Sequence, residues 1–284
     1  MYPDPLFHIF NIEVDLYTIF FLVGIIACFI FTFFAMKKSA YSPSASDTIL
    51  VIGIFSIMFG LLFAVLFQSF YDFLAFPSGG FKITGKMTFL GGLLGGVITF
   101  LGLYFLYVYV INPRLKERNF FKSNMNKGLW ELLRFAPISI TIAHAFGRIG
   151  CFFAGCCGGK ETDAWFGVTF PGELVKVIPT QLFEAIFLFL ISAAMIVLYF
   201  VFKFKYNMSV YLIGYGVWRF IIEFFRDDDR GSFMPGLSPS QFWAIIMVIG
   251  GVIFFFLYRY FDKIITYEKE QKLKENKEIE KSHS

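Results

Sequence analysis

Charged residues are scarce in this sequence. Only 16% of its 284 residues are Asp, Glu, Lys or Arg, whereas 57% are hydrophobic. A soluble domain usually has about 25% charged residues, so the shortage excludes an ordinary soluble domain. Apolar runs of about 20 residues match the roughly 30 Å hydrocarbon core of a bilayer. The sequence therefore predicts an integral membrane protein.

Other features are missing as well. The segment before the first apolar run, MYPDPLFHIFNIEVD, has no Lys or Arg, so it lacks the basic start of a cleavable signal peptide, and we expect the first run to remain as a span. Four cysteines are too few for a secreted disulfide scaffold in a chain of this length. The net charge is +4, but the lysines cluster beside the apolar runs and in the C-terminal tail, which favours a membrane over a nucleic-acid partner.

The apolar runs predict an all-α fold, a bundle of seven transmembrane helices. The loops on one side of the predicted membrane carry 16 Lys and Arg residues and those on the other side carry 6, which predicts the N-terminus outside and the C-terminus inside. Residues 1–262 are expected to form the seven-span transmembrane domain and residues 263–284 a charged cytoplasmic tail. The predicted spans are 16–36, 48–70, 88–111, 130–155, 180–202, 208–225 and 239–260.

The fourth span ends in an unusually polar stretch, HAFGRIGCFFAGCCGGK. Arg148 is flanked by Gly147 and Gly150, which let the backbone approach a ligand closely. His144 precedes Arg148 by four residues and shares its helix face. With a pKa of about 6.5 in the unperturbed side chain, histidine is suited to accept a proton; the alternative is a hydrogen-bonded structural histidine.

A second arginine occurs in WRFIIEFFR at the end of the sixth span. Arg219 and Glu223 have i, i+4 spacing, so they lie on one helix face. A charge at the bilayer centre costs about 2.5–3.5 kcal/mol, so such residues normally face the protein interior. The pair either neutralises itself or offers a guanidinium, held by its carboxylate, to a phosphate. Together with Arg148, it predicts a cavity for an anionic lipid head group.

Two further stretches contribute candidate binding residues. In PTQLFE, which opens the fifth span, Gln181 and Glu184 lie one turn apart and are expected at the outer rim, where they orient a head group or pair with an arginine. In TFLGGLLGG of the third span, Gly91 and Gly92 begin a glycine strip. The strip allows either close helix packing or room for a lipid.

Three cysteines lie at the end of the fourth span or just after it: Cys151, Cys156 and Cys157. Zinc sites typically need a second pair of ligands, which the sequence lacks, so we predict no metal. A disulfide joining Cys151 to Cys156, or Cys156 to Cys157, is an alternative to the default of small packing residues.

Together these stretches resemble the prolipoprotein diacylglyceryl transferases over nearly the whole chain to residue 260. That resemblance implies transfer of a diacylglyceryl group from phosphatidylglycerol to the lipobox cysteine thiol of prolipoproteins, with release of glycerol phosphate, in the bacterial plasma membrane and without a cofactor. The matching stretches are GRIGCF at 147–152, PTQLFE at 179–184, RFIIEFFR at 219–226, LSPSQ at 237–241, TFLGGLLGG at 88–96 and VDLYTIFFLVG at 14–24.

The resemblance also assigns roles to residues. Arg148 matches the signature arginine, Arg219 and Glu223 match the family's essential pair, and we expect these three and His144 to be catalytic. The residues expected to bind the substrate are Tyr17, Gly147, Gly150, Gln181, Glu184, Gly91, Gly92 and Gln241.

The sequence departs from the family pattern at three positions. Leu90 replaces a histidine, the family's usual proton acceptor, while Cys151 replaces an asparagine and Cys156 a glutamate. We therefore hypothesise that His144 takes over as proton acceptor; alternatively, bound phosphate or Glu223 suffices. These departures motivate one alternative function, that of a divergent relative that uses the same lipid cavity on another acceptor. A second alternative is a non-enzymatic lipid-binding or transport protein. The absence of a convincing internal repeat argues against transport.

Overall fold

The protein is built from helices. The structure, a computed structural model, describes residues 5–9, 12–39, 41, 43–75, 77, 80–83, 87–111, 125–227 and 236–282. Within them lie seven α-helices and one short β-hairpin, β1 (Phe7–Ile9) and β2 (Ile12–Val14). The helices are α1 (Leu16–Lys38), α2 (Pro43–Ala75), α3 (Phe89–Leu106), α4 (Met125–Phe153), α5 (Thr180–Phe200), α6 (Asn207–Ile222) and α7 (Pro239–Ser282).

Each of these helices is long and apolar enough to cross a membrane. This confirms the predicted number of spans and their predicted order along the chain. By length and composition, the membrane-crossing stretches are Leu16–Lys38, Ala45–Leu74, Gly91–Ile111, Gly128–Phe153, Thr180–Phe200, Asn207–Phe225 and Pro239–Ile264.

Several helix ends differ from the predicted bounds. The helix α3 continues as a π-helix, Tyr107–Ile111, and α6 continues as a 3₁₀ turn, Glu223–Phe225. Helix α7 runs without interruption through the expected boundary at residue 262 to Ser282. The predicted charged tail is therefore, over the described residues, a continuation of the last helix.

The chain divides into two compact units. The first comprises Met1–Thr32 and Leu132–Ser284, and the second Phe33–Glu131. In the second unit α2 and α3 pack through glycines: a Cβ on Gly60 would lie 3.0 Å from the carbonyl oxygen of Gly92, and one on Gly91 would lie 2.6 Å from the Cβ of Phe67. Larger residues would push these two backbones apart, which explains the glycine strip by packing.

The first unit contains α5, α6, α7 and most of α1 and α4. Its core includes Ala145, Leu188 and Tyr215, with Phe187 stacked on Trp218 at 4.6 Å between ring centroids. Close helix contacts rely on glycine here too, since a Cβ on Gly24 in α1 would lie 2.9 Å from the Ala143 carbonyl oxygen in α4. The same holds for α6 and α7, where Gly216 faces the backbone of Ala244.

The hairpin leads into a capped helix. Phe7 pairs with Val14, and Asp15 follows directly. The Thr18 N–H donates a 2.8 Å hydrogen bond to the Asp15 carboxylate, as expected of an N-cap. Burial acts to raise the pKa of Asp15, but hydrogen bonds from Thr18 outweigh it and lower the pKa. The cap fixes the start of α1 immediately before Tyr17.

Candidate active site

A buried ion pair lies where α4 ends and α5 begins. The Arg148 guanidinium Nη2 is 3.0 Å from Glu184 Oε1, and the Glu184 side chain is fully buried. Glu184 and Gln181, both 0% exposed, do not lie at a rim, and that part of the prediction was wrong. The reason is electrostatic: a buried carboxylate needs a partner, and Arg148 on the neighbouring helix supplies it.

Tyr215 on α6 joins this ion pair to His144. Its hydroxyl donates a 2.6 Å hydrogen bond to Glu184 Oε1 and lies 3.4 Å from His144 Nε2. The two rings meet edge to face with centroids 4.8 Å apart. The result is a connected polar group of four side chains from three helices: Arg148, Glu184, Tyr215 and His144.

The sequence analysis missed Tyr215. A signal was available, because Tyr215 precedes Arg219 by four residues and so shares its helix face.

The Arg219–Glu223 pair forms as predicted. Arg219 Nη2 lies 2.8 Å from Glu223 Oε2 and also donates to Ser240 Oγ at 2.8 Å. Glu223 in turn accepts a 2.8 Å hydrogen bond from Ser238 Oγ, and Arg226 Nε lies 3.8 Å from its Oε2. Serines at the start of α7 thus orient both members of the pair from a second helix.

Several buried polar atoms in this region have no hydrogen-bond partner within the part of the chain that the structure describes, among them Arg219 Nη1, Glu184 Oε2 and Gln181 Oε1. Leaving a buried donor or acceptor unsatisfied costs about 1–3 kcal/mol, and more for a charged group. An unsatisfied N–H of a guanidinium is a ready donor to a phosphate oxygen. The alternative in which Arg219 and Glu223 merely neutralise each other leaves this donor unexplained.

The two glycines beside Arg148 have different surroundings. A Cβ on Gly150 would lie 3.1 Å from Tyr17 Cδ2 and 3.2 Å from the Tyr17 carbonyl oxygen. The absence of a side chain at Gly150 therefore allows the start of α1 to pack closely against α4. Among the described residues, no atom would lie within 4 Å of a Cβ on Gly147. Gly147 therefore fits the prediction of a position open to a ligand, and Gly150 is explained by contact with Tyr17, whose side chain is 40% exposed.

Gln241 acts in the local structure of α7. Its Oε1 accepts a 3.1 Å hydrogen bond from the Ser238 N–H, and its own N–H donates to Ser238 Oγ at 3.2 Å. This is the reciprocal capping box of the pattern Ser-x-x-Gln. A contact of Gln241 with substrate stays a prediction, as does one for Gly91 and Gly92, which pack on α2 in the second unit. The Leu90 side chain lies outside the described residues.

Cys151 at the end of α4, and Cys156 and Cys157 at the start of the loop that joins α4 to α5, are free thiols. Hydrogen bonds from Cys151 and Cys156, followed by the nearby Arg226 guanidinium, lower the pKa of Cys157, while hydrogen bonding to Cys151 and Cys157 raises that of Cys156. The carbonyl oxygen of Cys156 accepts a 2.5 Å hydrogen bond from Gln181 Nε2. In the described parts of the chain, no group of three or more His, Cys, Asp and Glu residues is arranged to hold a metal ion.

Most of the predicted residues are brought to one end of the first unit. His144 and Arg148 lie near the end of α4, Glu184 near the start of α5, Arg219 near the end of α6 and Tyr17 at the start of α1. Besides Tyr215, three residues at this end were not expected from the sequence: Ser238 and Ser240, which form hydrogen bonds with the pair, and Arg226, whose guanidinium lies near Glu223.

The chain is similar to known proteins of one family. The family model described as prolipoprotein diacylglyceryl transferase matches residues 4–257. A phosphatidylglycerol–prolipoprotein diacylglyceryl transferase of Clostridium tetani is 29% identical over 90% of this chain and 97% of its own length. The one of Idiomarina loihiensis is 32% identical over 88% of this chain and 91% of its own length. Transferase 2 of Clostridium perfringens is 39% identical over 45% of this chain and 54% of its own length.

Proposed function

The chain belongs to the prolipoprotein diacylglyceryl transferase family, and from this premise we propose that it transfers a diacylglyceryl group from phosphatidylglycerol to the lipobox cysteine thiol of a prolipoprotein. Glycerol phosphate is the second product. The two relatives that match 88% or more of this chain are named phosphatidylglycerol–prolipoprotein diacylglyceryl transferases. Their names support phosphatidylglycerol as the lipid donor and a prolipoprotein as the acceptor.

The observation that carries the proposal is the buried Arg219 guanidinium. Its Nη2 is held by Glu223 and Ser240, while its Nη1 has no acceptor within the described residues. Arg148 and Arg219 both lie close enough to Glu184 to interact with it electrostatically. Arg226 lies 3.8 Å from Glu223, so three guanidinium groups surround the two carboxylates Glu184 and Glu223. The group therefore has a net positive charge, which suits the single negative charge of a phosphodiester.

The chemistry follows from this arrangement. The acceptor sulfur attacks the glyceryl carbon, a C–S bond forms, and the C–O bond to the phosphate breaks. The phosphate leaves with the bonding electrons as glycerol phosphate, and Arg148 and Arg219 stabilise the charge that develops on it. The attacking species is a thiolate, so the thiol proton must be accepted by a base or by solvent.

His144 is our candidate for that base. Its Nε2 lies 3.4 Å from the Tyr215 hydroxyl, whose hydrogen is donated to Glu184 at 2.6 Å. The imidazole is thus linked through Tyr215 to a carboxylate that can stabilise its protonated form. Replacing His144 with Ala should lower the transfer rate by about 10²–10⁴-fold, the usual contribution of a general base. Full transfer by His144→Ala would eliminate this role and favour bound phosphate or Glu223 as the acceptor.

Location and orientation belong to the same proposal. Seven spanning helices in a family of bacterial lipoprotein enzymes support a multi-pass protein of the bacterial plasma membrane. The excess of Lys and Arg in alternate loops supports the N-terminus outside and the C-terminus inside. The site then faces the outer leaflet, where phosphatidylglycerol enters from the bilayer and a lipobox peptide meets it; nucleic acid is not a partner.

The test is transfer of labelled diacylglyceryl from phosphatidylglycerol vesicles to a lipobox peptide. Arg219→Ala should lower the transfer rate by about 10²–10³-fold, as when a donor to a developing oxyanion is removed. Arg219→Lys should recover little, because lysine lacks the planar fork. Lys205→Ala is the matched control: it also removes a cation, but one whose partner is Asp262, outside the site.

Other outcomes identify the alternatives. Transfer by the wild type that Arg219→Ala leaves unchanged would refute the phosphate-binding role. Lipid binding without any transfer would favour a binding protein. Consumption of phosphatidylglycerol without labelling of the lipobox peptide would favour another acceptor, in line with Leu90, Cys151 and Cys156 at the departing positions.

A further inference from the structure

The loop of residues 154–179, which joins α4 to α5, exposes large apolar side chains. Trp165 is 92% exposed and Leu174 is 100% exposed, with Phe166 and Val175 exposed to 37% and 39%. Single exposed apolar residues are ordinary, but several on one short segment usually mark a contact surface. None of these residues takes part in the site described above.

The exposure is not a sign of an unfolded loop. Val168 and Val177 exchange two backbone hydrogen bonds of 3.0 Å, and the Thr162 N–H donates to the Lys176 carbonyl oxygen at 2.9 Å. The base of the loop is bonded to the end of α6, since the Lys160 N–H donates to the Phe225 carbonyl oxygen at 2.8 Å. Trp165 and Leu174 are therefore held outward by an ordered backbone.

A ring contact of Phe166 shows where the neighbouring Trp165 lies along the helix axes. Phe166 meets Phe183 edge to face with ring centroids 5.6 Å apart. Phe183 lies three residues into the spanning helix Thr180–Phe200, which is about 4.5 Å along the helix axis. The turn closed by the 3.0 Å hydrogen bond from Gly167 N–H to the Ala164 carbonyl oxygen thus lies beside the first turn of α5, at the level where a span enters the bilayer.

Leu174 belongs to the same surface. A Cβ on Gly167 would lie 3.1 Å from the Cβ of Lys176, so the chain two residues after Leu174 passes directly beside the turn that carries Trp165. Tryptophan is enriched at membrane interfaces because its ring is apolar and its N–H is polar. The exposed charged side chains of this loop are of both signs, Lys160 and Lys176 with Glu161, Asp163 and Glu173. The contact with lipid therefore rests on the apolar side chains and not on a net charge of the loop.

We propose that Trp165 and Leu174 insert into the head-group region of the leaflet at this end of the helices, so that the 154–179 loop is seated on the lipid surface. This goes beyond the proposed transfer activity and does not depend on it. The same loop supplies the Cys156 and Cys157 carbonyl oxygens to Gln181 and Thr180 at 2.5 and 3.0 Å. Seating it on lipid holds the start of α5, and hence Glu184, at a fixed depth.

The experiment measures the fluorescence of Trp165 in the full chain reconstituted in phosphatidylglycerol nanodiscs. Subtracting the emission of Trp165→Phe from that of the wild type isolates Trp165 among the four tryptophans. Lipids brominated near the head group should remove more than half of this difference emission, lipids brominated near the chain ends less, and aqueous iodide little. Trp243→Phe is the matched control for lipid contact, because Trp243 is 48% exposed and lies on the spanning helix α7.

Two results would overturn the proposal. One is a Trp165 emission that iodide removes and brominated lipids leave intact, which would place the loop in water. The other is quenching of the Trp165 emission by iodide that stops only when a lipobox peptide is added. That result would show that the surface binds peptide and not lipid. Leu174→Trp in the Trp165→Phe background repeats the measurement at the second position, and shallow bromine quenching is expected there as well.

Discussion

The ion pair between Arg148 and Glu184 makes a strong prediction about stability. The two charged atoms are 3.0 Å apart, and the side chains are 17% and 0% exposed. At an effective dielectric constant of about 20, charges about 3 Å apart attract by about 5 kcal/mol. Removing one partner of a buried pair leaves the other charge uncompensated and typically costs about 3–5 kcal/mol. Glu184→Gln, which preserves the shape of the side chain, should therefore lower the free energy of unfolding by about that amount.

A double variant measures how much of the stability depends on the interaction between the two charges. Arg148→Gln alone should also destabilise the protein, because it leaves the buried Glu184 carboxylate with Tyr215 as its only hydrogen-bond donor among the described residues. Arg148→Gln combined with Glu184→Gln removes both charges, so its loss of stability should be smaller than the sum of the two single losses by about 1–3 kcal/mol. The double variant should nevertheless stay inactive in diacylglyceryl transfer, because the arginine is gone.

The assay is reversible unfolding in mixed micelles with increasing denaturing detergent, followed by far-ultraviolet circular dichroism. Lys205→Gln is the control: its 2.9 Å pair with Asp262 is 43% and 35% exposed, so its loss should cost less than about 1 kcal/mol. Equal stability of Glu184→Gln and wild type, or a double variant no more stable than additivity predicts, would refute the reasoning from burial.

Two further predictions follow from the surroundings of particular side chains. Gly147→Ala should fold normally, because no described atom lies within 4 Å of the new Cβ, but it should lose transfer activity if substrate occupies that space. Gly150→Ala should instead lower the melting temperature, because its Cβ would lie 3.1 Å from the Tyr17 ring. Unchanged kinetics in Gly147→Ala would contradict a substrate contact there. Iodoacetamide should alkylate Cys157 at a pH well below that needed for Cys156, because the pKa of Cys157 is lowered and that of Cys156 raised; parallel pH profiles by mass spectrometry would contradict this.

The sequence by itself determined the membrane architecture. Apolar runs of about 20 residues can be stable only as spanning helices in a bilayer, and this property of the local sequence predicted all seven helices. The same local geometry predicted contacts within one helix: Arg219 with Glu223 is an i, i+4 pair that any α-helix brings together. Capping at Ser238 and Gln241 is local in the same sense, although we did not read it from the sequence.

Only the tertiary structure decided which helices supply each other's partners. Glu184 was expected at a rim, and its full burial follows from Arg148 on another helix and Tyr215 on a third. The position of Tyr17 against Gly150 depends likewise on how α1 crosses α4. Contacts between residues distant in the chain depend on helix packing, which periodicity along one helix does not specify. The sequence therefore identified most of the charged residues of the site, while the packing of the first unit determined how they are paired and which donors remain for a phosphate.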